Sequence, residues 1–438
     1  MRSVLSRRTA VPTALALCSL LAASGCGSGD SSSESGSGDM TFEGRGPITY
    51  VAGKDTTGTM QAQLDRWNKK HPDQKVTFIE LPTDADAQRQ QMIQNAETES
   101  DAYTVLSLDA VWTSEFAANR WIDQLPKDEF PLDTMLQPVV DTATYRGKLY
   151  AAPASSDGGL LYYRTDLLEQ AGVAEPPATW DEMKKACAKV LKLPEAEGMT
   201  CYTGQFEKYE GLTVNFSEAV HSAGGVVTDA NGKPNVDTPE ARRGLDFLVD
   251  SFEDGTIAKK AITYQEEDGR RAFQKGDVVF MRQWPYAYAL LNKKDGSSDV
   301  AGKFDVAPLP GADGPGTSSL GGHNLALASS AKNKATALDF MKFLSNEENT
   351  RKNLKAASLA PPYATLYEEQ ELIEKYPYLP ELKESIVRAK PRPRVVRYGD
   401  VTRAIQEEAY AALNGRKSSA AALKSLQKSL EKLTTPGQ

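Results

Sequence analysis

Between Pro47 and Trp112, short β-rich runs alternate with polar segments striped at helical spacing, and no other feature constrains the fold as much. Pro47 to Ala52 predicts a strand. Met60, Leu64 and Trp67 then fall on one face of a helix that Pro72 closes. Val76 to Leu81 predicts a second strand, and Thr83-Asp84 caps a polar helix running to about Glu97. Val105 to Leu108 predicts a third strand, ending at Asp109 before Ala110-Val111-Trp112. The order β-α-β-α-β implies a parallel sheet with right-handed crossovers. Such sheets bind ligands outside the carboxyl ends of their strands, which is where Asp109 and Trp112 fall. The competing reading of Asp109 is an N-cap at a strand–helix junction.

The same rule applies at Phe273 to Leu290. Lys275-Gly276-Asp277 is a turn, and Val278 to Met281 is an apolar, β-branched run that predicts a buried strand. Pro285 lacks a ladder donor and ends it. Trp284, Tyr286 and Tyr288 therefore stand beyond the strand, mixed with Arg282 and Gln283. Aromatics beside a buried strand are commonly core. A cluster that sits past the apolar run and combines flat faces with polar edges suits a sugar ring instead. It contains no obvious nucleophile or metal ligand.

Strands and helices continue to alternate beyond Lys148. Lys148 to Pro153 leads through the polar Ser155-Ser156-Asp157-Gly158-Gly159 into a strand at Leu160 to Arg164, so the chain is expected to cross between domains here. Asp157 is either a ligand carboxylate or a turn residue before two glycines. Thr179 and Glu182 form a capping box for the next helix, and further helices are expected near 211–222 and 239–252. A second irregular segment opens at Pro308 and ends at Leu320-Gly321-Gly322-His323-Asn324. A strand at Leu325 to Ala328 and a helix from Lys334 to Leu344 follow. The last helix carries Leu423, Leu426, Leu430 and Leu433 on one face, which suits packing on a lobe.

Arg2, Arg7 and Arg8 precede an apolar run from Ala10 to Ala23, a pattern that fits a signal peptide and is too short for a membrane span. Ala23-Ser24-Gly25-Cys26 resembles a bacterial lipobox, with Ala23 where a larger aliphatic residue is usual. Residues 1–25 are thus expected to be cleaved, leaving Cys26 as a lipid anchor on the outer face of the cell membrane. Ser6-Arg7-Arg8-Thr9 also resembles a twin-arginine signal. The Gly/Ser-rich residues 26–46 form a flexible tether. Losing three arginines takes the formal charge from −8 to −11, and so acidic a surface excludes nucleic acid as the natural partner. More than four hundred residues exceed one core, so two domains are expected. Of four cysteines, Cys18 leaves with the signal and Cys26 is the anchor. In an exported chain Cys187 and Cys201 are expected to pair, free buried thiols being the alternative. His71, His221 and His323 are too scattered for a metal site, and no cofactor motif occurs.

Several pieces together carry a family resemblance. They are S-L-D-A-V-W (107–112), K-L-Y-A-A-P (148–153), D-G-G-L-L-Y-Y-R (157–164), Q-F-E-K-Y-E-G-L (205–212), F-M-R-Q-W-P-Y-A (280–287), L-G-G-H-N (320–324) and P-R-P (391–393). From about Ile48 the chain resembles the sugar-binding lipoproteins of ABC importers, extracellular solute-binding family 1, and most nearly their trehalose/maltose-binding branch. The resemblance implies an α/β, periplasmic-binding-protein-like fold of type II, with two lobes joined by a hinge around a ligand cleft. On it, residues 47–154 and 323–376 form the N-terminal lobe, and 155–322 and 377–438 the C-terminal lobe. It places Asp109, Asp157, Trp284, Gly321 and Gly322 at a di- or oligosaccharide, with Arg89, Glu210 and Arg392 as further contacts. Trp112 and Tyr286 lie beside these residues. His323 follows the glycine pair where relatives often carry tryptophan, which removes a stacking face. The implied partners are the sugar and membrane permease subunits, with the binding protein itself a monomer.

Two other functions fit an exported, acid-lined chain: a glycosidase with paired carboxylates, or a binding protein for a peptide or metal chelate. No G-x-S-x-G, H-E-x-x-H or Walker pattern supports catalysis. Carboxylates with an aromatic face favour a neutral polyol over a peptide or chelate.

Overall fold

The computed structural model describes residues 41–229 and 232–434. The signal-peptide, Cys18 and Cys26 expectations, and most of the tether, lie outside the described residues. Within the unit that begins at Thr41, two sheets organise the chain. The first has the order 76–81, 48–53, 105–109, 323–327, 152–153. Its first three strands are parallel, as the β-α-β-α-β pattern requires. Strand His323–Leu327 runs antiparallel to Val105–Asp109, so the sheet is mixed and not purely parallel. The chain returns to this sheet only after building the second one, and it enters from the opposite end.

The second sheet has the order 304–307, 160–164, 278–283, 200–203. Its strand Val278–Gln283 is buried along its whole length and extends two residues past the apolar run. Helices 210–222 and 239–253 pack on one another, as do 398–413 and 419–434. Leu423, Leu426 and Leu430 of the last helix are buried in this lobe's core. The capping box of Thr179 and Glu182 is present. Cys187 and Cys201 are joined, with Cα atoms 5.5 Å apart, tying helix 180–190 to strand 200–203.

The chain passes between sheets along neighbouring segments. Asp157–Gly158 pairs antiparallel with Leu320–Gly321, and Ser318–Leu320 is bonded in turn to Lys390. These segments hold the two sheets with their ligand-binding ends facing one cleft. Among the described residues, no helix is long and apolar enough to cross a membrane.

Candidate functional site

A cavity of about 330 Å³ lies where the strand ends of both sheets face each other. That volume is at the small end of the range for ligand sites. Its wall draws on every crossing segment. Asp109 and Trp112 come from the end of strand Val105–Asp109, Asp157 from the first crossing, and Gly321, Gly322 and His323 from the second. Glu210, Trp284 and Tyr286 come from the second sheet's side, and Arg392 from the third crossing.

The lobes are closed on this cavity. Gln265 Nε2 donates to Asp84 Oδ2 at 3.3 Å, and Gln406 Nε2 to Asp86 Oδ2 at 3.0 Å. Arg89 was expected at the ligand, but it lies outside the cavity wall. Its guanidinium grips Glu115 at 2.6 and 2.7 Å and lies on the bare backbone of Gly399, in helix 398–413 of the other lobe. A helix residue at the lip of the cleft meets the opposite lobe before it meets the cavity, and Arg89 is such a residue.

At the inner wall, Arg392 joins both lobes. Its Nη2 donates to Asp109 Oδ1 at 2.6 Å and its Nη1 to Glu210 Oε1 at 2.5 Å. Glu210 also accepts from Tyr398 and, at 2.8 Å, from Thr402. Burial pushes the Glu210 carboxyl up, and Arg392 opposes that. Glu210 therefore has its oxygens committed to the chain. Asp109 accepts from Arg392 and from Val111 N at 3.1 Å; the latter is a turn contact, not the N-cap expected as the alternative, because the next helix is Thr113–Ala118, has Trp112 at its N-cap and carries no side-chain cap. Arg392 Nε and Trp112 Nε1 are buried and have no partner among the described residues. Both residues line the cavity, with these two donor atoms themselves covered by the chain.

Asp157 differs from these carboxylates. No donor among the described residues reaches its side chain. What remains of its surface faces the cavity, and burial, with Asp109 adding to it, lifts its pKa to about 7; Arg282 works in the opposite direction. His323 pairs in register with Asp109 and extends into the cavity, with its pKa lowered first by burial.

Trp284 emerges directly after the buried strand. Its N–H bonds to Gln283 Oε1 at 3.0 Å, and its carbonyl accepts from Tyr162 at 3.0 Å. Gly321 is needed here: a Cβ would sit 2.9 Å from the Trp284 ring. Gly322 is needed too, at φ +105°, where a Cβ would fall 2.4 Å from the Ser155 carbonyl. Tyr286 lines the cavity and donates to Glu267 at 2.7 Å. Three neighbours expected in the same platform, Arg282, Gln283 and Tyr288, do not line the cavity. Arg282 is 1% exposed and sits inside the lobe. Tyr288 packs against Tyr378 with tilted rings 4.1 Å apart, away from the cavity.

The sequence reading missed the loop after the first strand. Asp55 accepts from the N–H groups of Thr57, Gly58 and Met60 at 3.0, 2.9 and 2.8 Å, and so shapes one lip of the cavity. The signal was available, since this loop leaves the same sheet edge as Asp109. Glu266 and Glu267 were missed as well, and both line the wall.

Residues 53–351 match the bacterial extracellular solute-binding protein family. The chain belongs to that family. It is a solute-binding protein of an exported family, not an enzyme. It is 32% identical over 385 residues to a probable ABC transporter-binding protein of Deinococcus radiodurans, covering 85% of this chain and 90% of that one. Among solved structures it is similar to maltose-bound T. maritima MalE3. That match has a TM-score of 0.84 and 35% identity, covering 88% of this chain and 99% of the other. A solute-binding protein of Thermotoga lettingae bound with alpha-D-tagatose superposes with a TM-score of 0.80, covering 89% of this chain and 99% of the other. At 22% identity it speaks to the fold alone. The solute-binding fold is thus the type II arrangement of two α/β lobes around a cleft.

Proposed function

We propose that this solute-binding protein captures a disaccharide, trehalose or maltose, and delivers it to an ABC permease. The observation that carries the reading is the closed cavity itself. It sets an indole face, Trp284, against Asp157, a carboxylate that no donor among the described residues reaches, with Trp112 and Arg392 in the same wall. An indole covers the C–H face of a pyranose, while a carboxylate accepts hydroxyl protons in charge-assisted hydrogen bonds. A peptide would bring its own charges into a wall where the cation Arg392 is already paired. The maltose in the similar T. maritima protein supports the sugar, and the Deinococcus relative supports the ABC transporter. Asp109, Gly321, Gly322 and His323 complete the proposed ligand wall, and the protein acts as a monomer.

A thermal-shift screen across sugars, polyols, peptides and metal chelates tests this. Trehalose or maltose should raise the melting temperature most, and a shift confined to peptides or chelates would refute the sugar. Incubation with oligosaccharides should yield no products. The proposed attachment is a single lipid on Cys26. Cys26→Ser should appear in the medium, and a variant that stays with the membrane would remove that part of the reading.

A further inference from the structure

We propose that Arg282 is a positioning residue for the sugar, which it serves by holding the indole of Trp284 flat from behind. This rests on the reading that Trp284 stacks on the ligand. The Arg282 guanidinium carbon lies 3.7 Å from the centroid of the Trp284 ring, so the cation covers one face of the indole. Gly321 lies against the ring as well, 2.9 Å from where its Cβ would be. The surface that Trp284 gives the cavity is what these two contacts leave free.

The guanidinium is itself fixed. Nε and Nη2 bind Glu218 at 2.8 and 2.6 Å, and Nη1 binds Gln205 at 3.2 Å. Arg282 and Glu218 are 1% and 6% exposed. An apolar pair would pack here without the desolvation that a buried ion pair costs, so stability alone does not explain the choice. The pair also touches both crossings beside the site. Glu218 Oε1 accepts from Ser319 N at 3.0 Å, and a Cβ on Gly159 would lie 2.8 Å from Arg282 Nη2. One planar cation thus fixes the ring face relative to the segments that carry Asp157 and Gly321. Lysine can match the charge but neither the fork nor the flat stack.

The test is a double-mutant cycle read by titration calorimetry with maltose and trehalose, with thermal melts alongside. Arg282→Lys should weaken binding about tenfold, within the range for desolvated cation–aromatic contacts. In a Trp284→Leu background the same change should cost nothing further, because the ring it acts through is gone. A purely structural role would lower the melting temperature and give additive losses in the two backgrounds. Should Arg282→Lys fold poorly, Arg282→Gln combined with Glu218→Gln removes both charges together and enters the same cycle. Additive losses, or unchanged affinity in Arg282→Lys, overturn the proposal while leaving the sugar site standing. Unchanged affinity in Trp284→Leu overturns both.

Discussion

Replacing Asp157 with asparagine should flatten the pH dependence of ligand binding. In the empty protein, burial and the charge of Asp109 hold this carboxyl at about 7, against 3.8 in a free chain. Sugar hydroxyls donate to the ionised form, so binding favours loss of the proton. With a pKa of about 7, roughly one molecule in eleven is ionised a unit below and roughly ten in eleven a unit above. Apparent affinity scales with the competent fraction, so the dissociation constant should fall about tenfold from about pH 6 to about pH 8. His323 is present in both proteins, so its own titration cancels in their comparison. Burial raises the Glu210 carboxyl to about 7 as well, but Glu210 keeps Arg392, Tyr398 and Thr402 in both proteins, so only the difference between wild type and Asp157→Asn reports on Asp157.

Stability without ligand should move the other way. Asp157 has a folded-state pKa above its unfolded value, so the folded protein binds the extra proton between 3.8 and about 7. That contribution is complete below the lower value and lost as pH rises through the upper one. Asp157→Asn escapes the loss, and its melting temperature should gain on wild type across that window. Calorimetric titrations at several pH values, beside melts of both proteins, provide the check. A wild-type affinity that stays flat, or an Asp157→Asn variant whose slope is as steep as wild type's, would refute the assignment of this carboxylate to the ligand.

Trp284→Ala should weaken trehalose or maltose binding by about 2 kcal/mol, roughly thirtyfold, while the empty protein melts normally; early melting would show the ring to be core. Arg392→Met leaves Asp109 and Glu210 buried without their cation, and should destabilise the protein by about 3–5 kcal/mol in denaturant titrations. Gly399→Leu would place a Cβ 2.2 Å from Arg89 Nη2 and wedge the lobes apart. Binding should fall about tenfold as closure becomes rarer, and adding Arg89→Ala should restore it. Opening the Cys187–Cys201 bridge, whose ends are 14 residues apart, should cost about 3 kcal/mol, seen as the same melting shift in Cys201→Ser and in reduced wild type.

Local order was legible wherever a pattern repeats at close range. The parallel strands at 48–53, 76–81 and 105–109, the capping box at Thr179, and the buried strand behind Trp284 all follow from side-chain period and turn chemistry. Because ligands sit at strand ends, the same reasoning reached Asp109, Trp112 and Trp284. Which way a side chain faces across the cleft was not legible, because that depends on partners distant in the chain. Arg89 and Gly399 meet 310 positions apart only because the lobes close. Arg392 finds Asp109 across 283 positions and Glu210 across 182. Arg282 looks like part of a polar platform in sequence, yet the second sheet turns it inward onto Glu218 and the back of the indole. The sequence determined which elements form and which ends of the strands border the cavity. The tertiary structure decided which charges pair with each other and which, Asp157 first among them, face the cavity without a donor among the described residues, because electrostatic partnership depends on distances that no local pattern encodes.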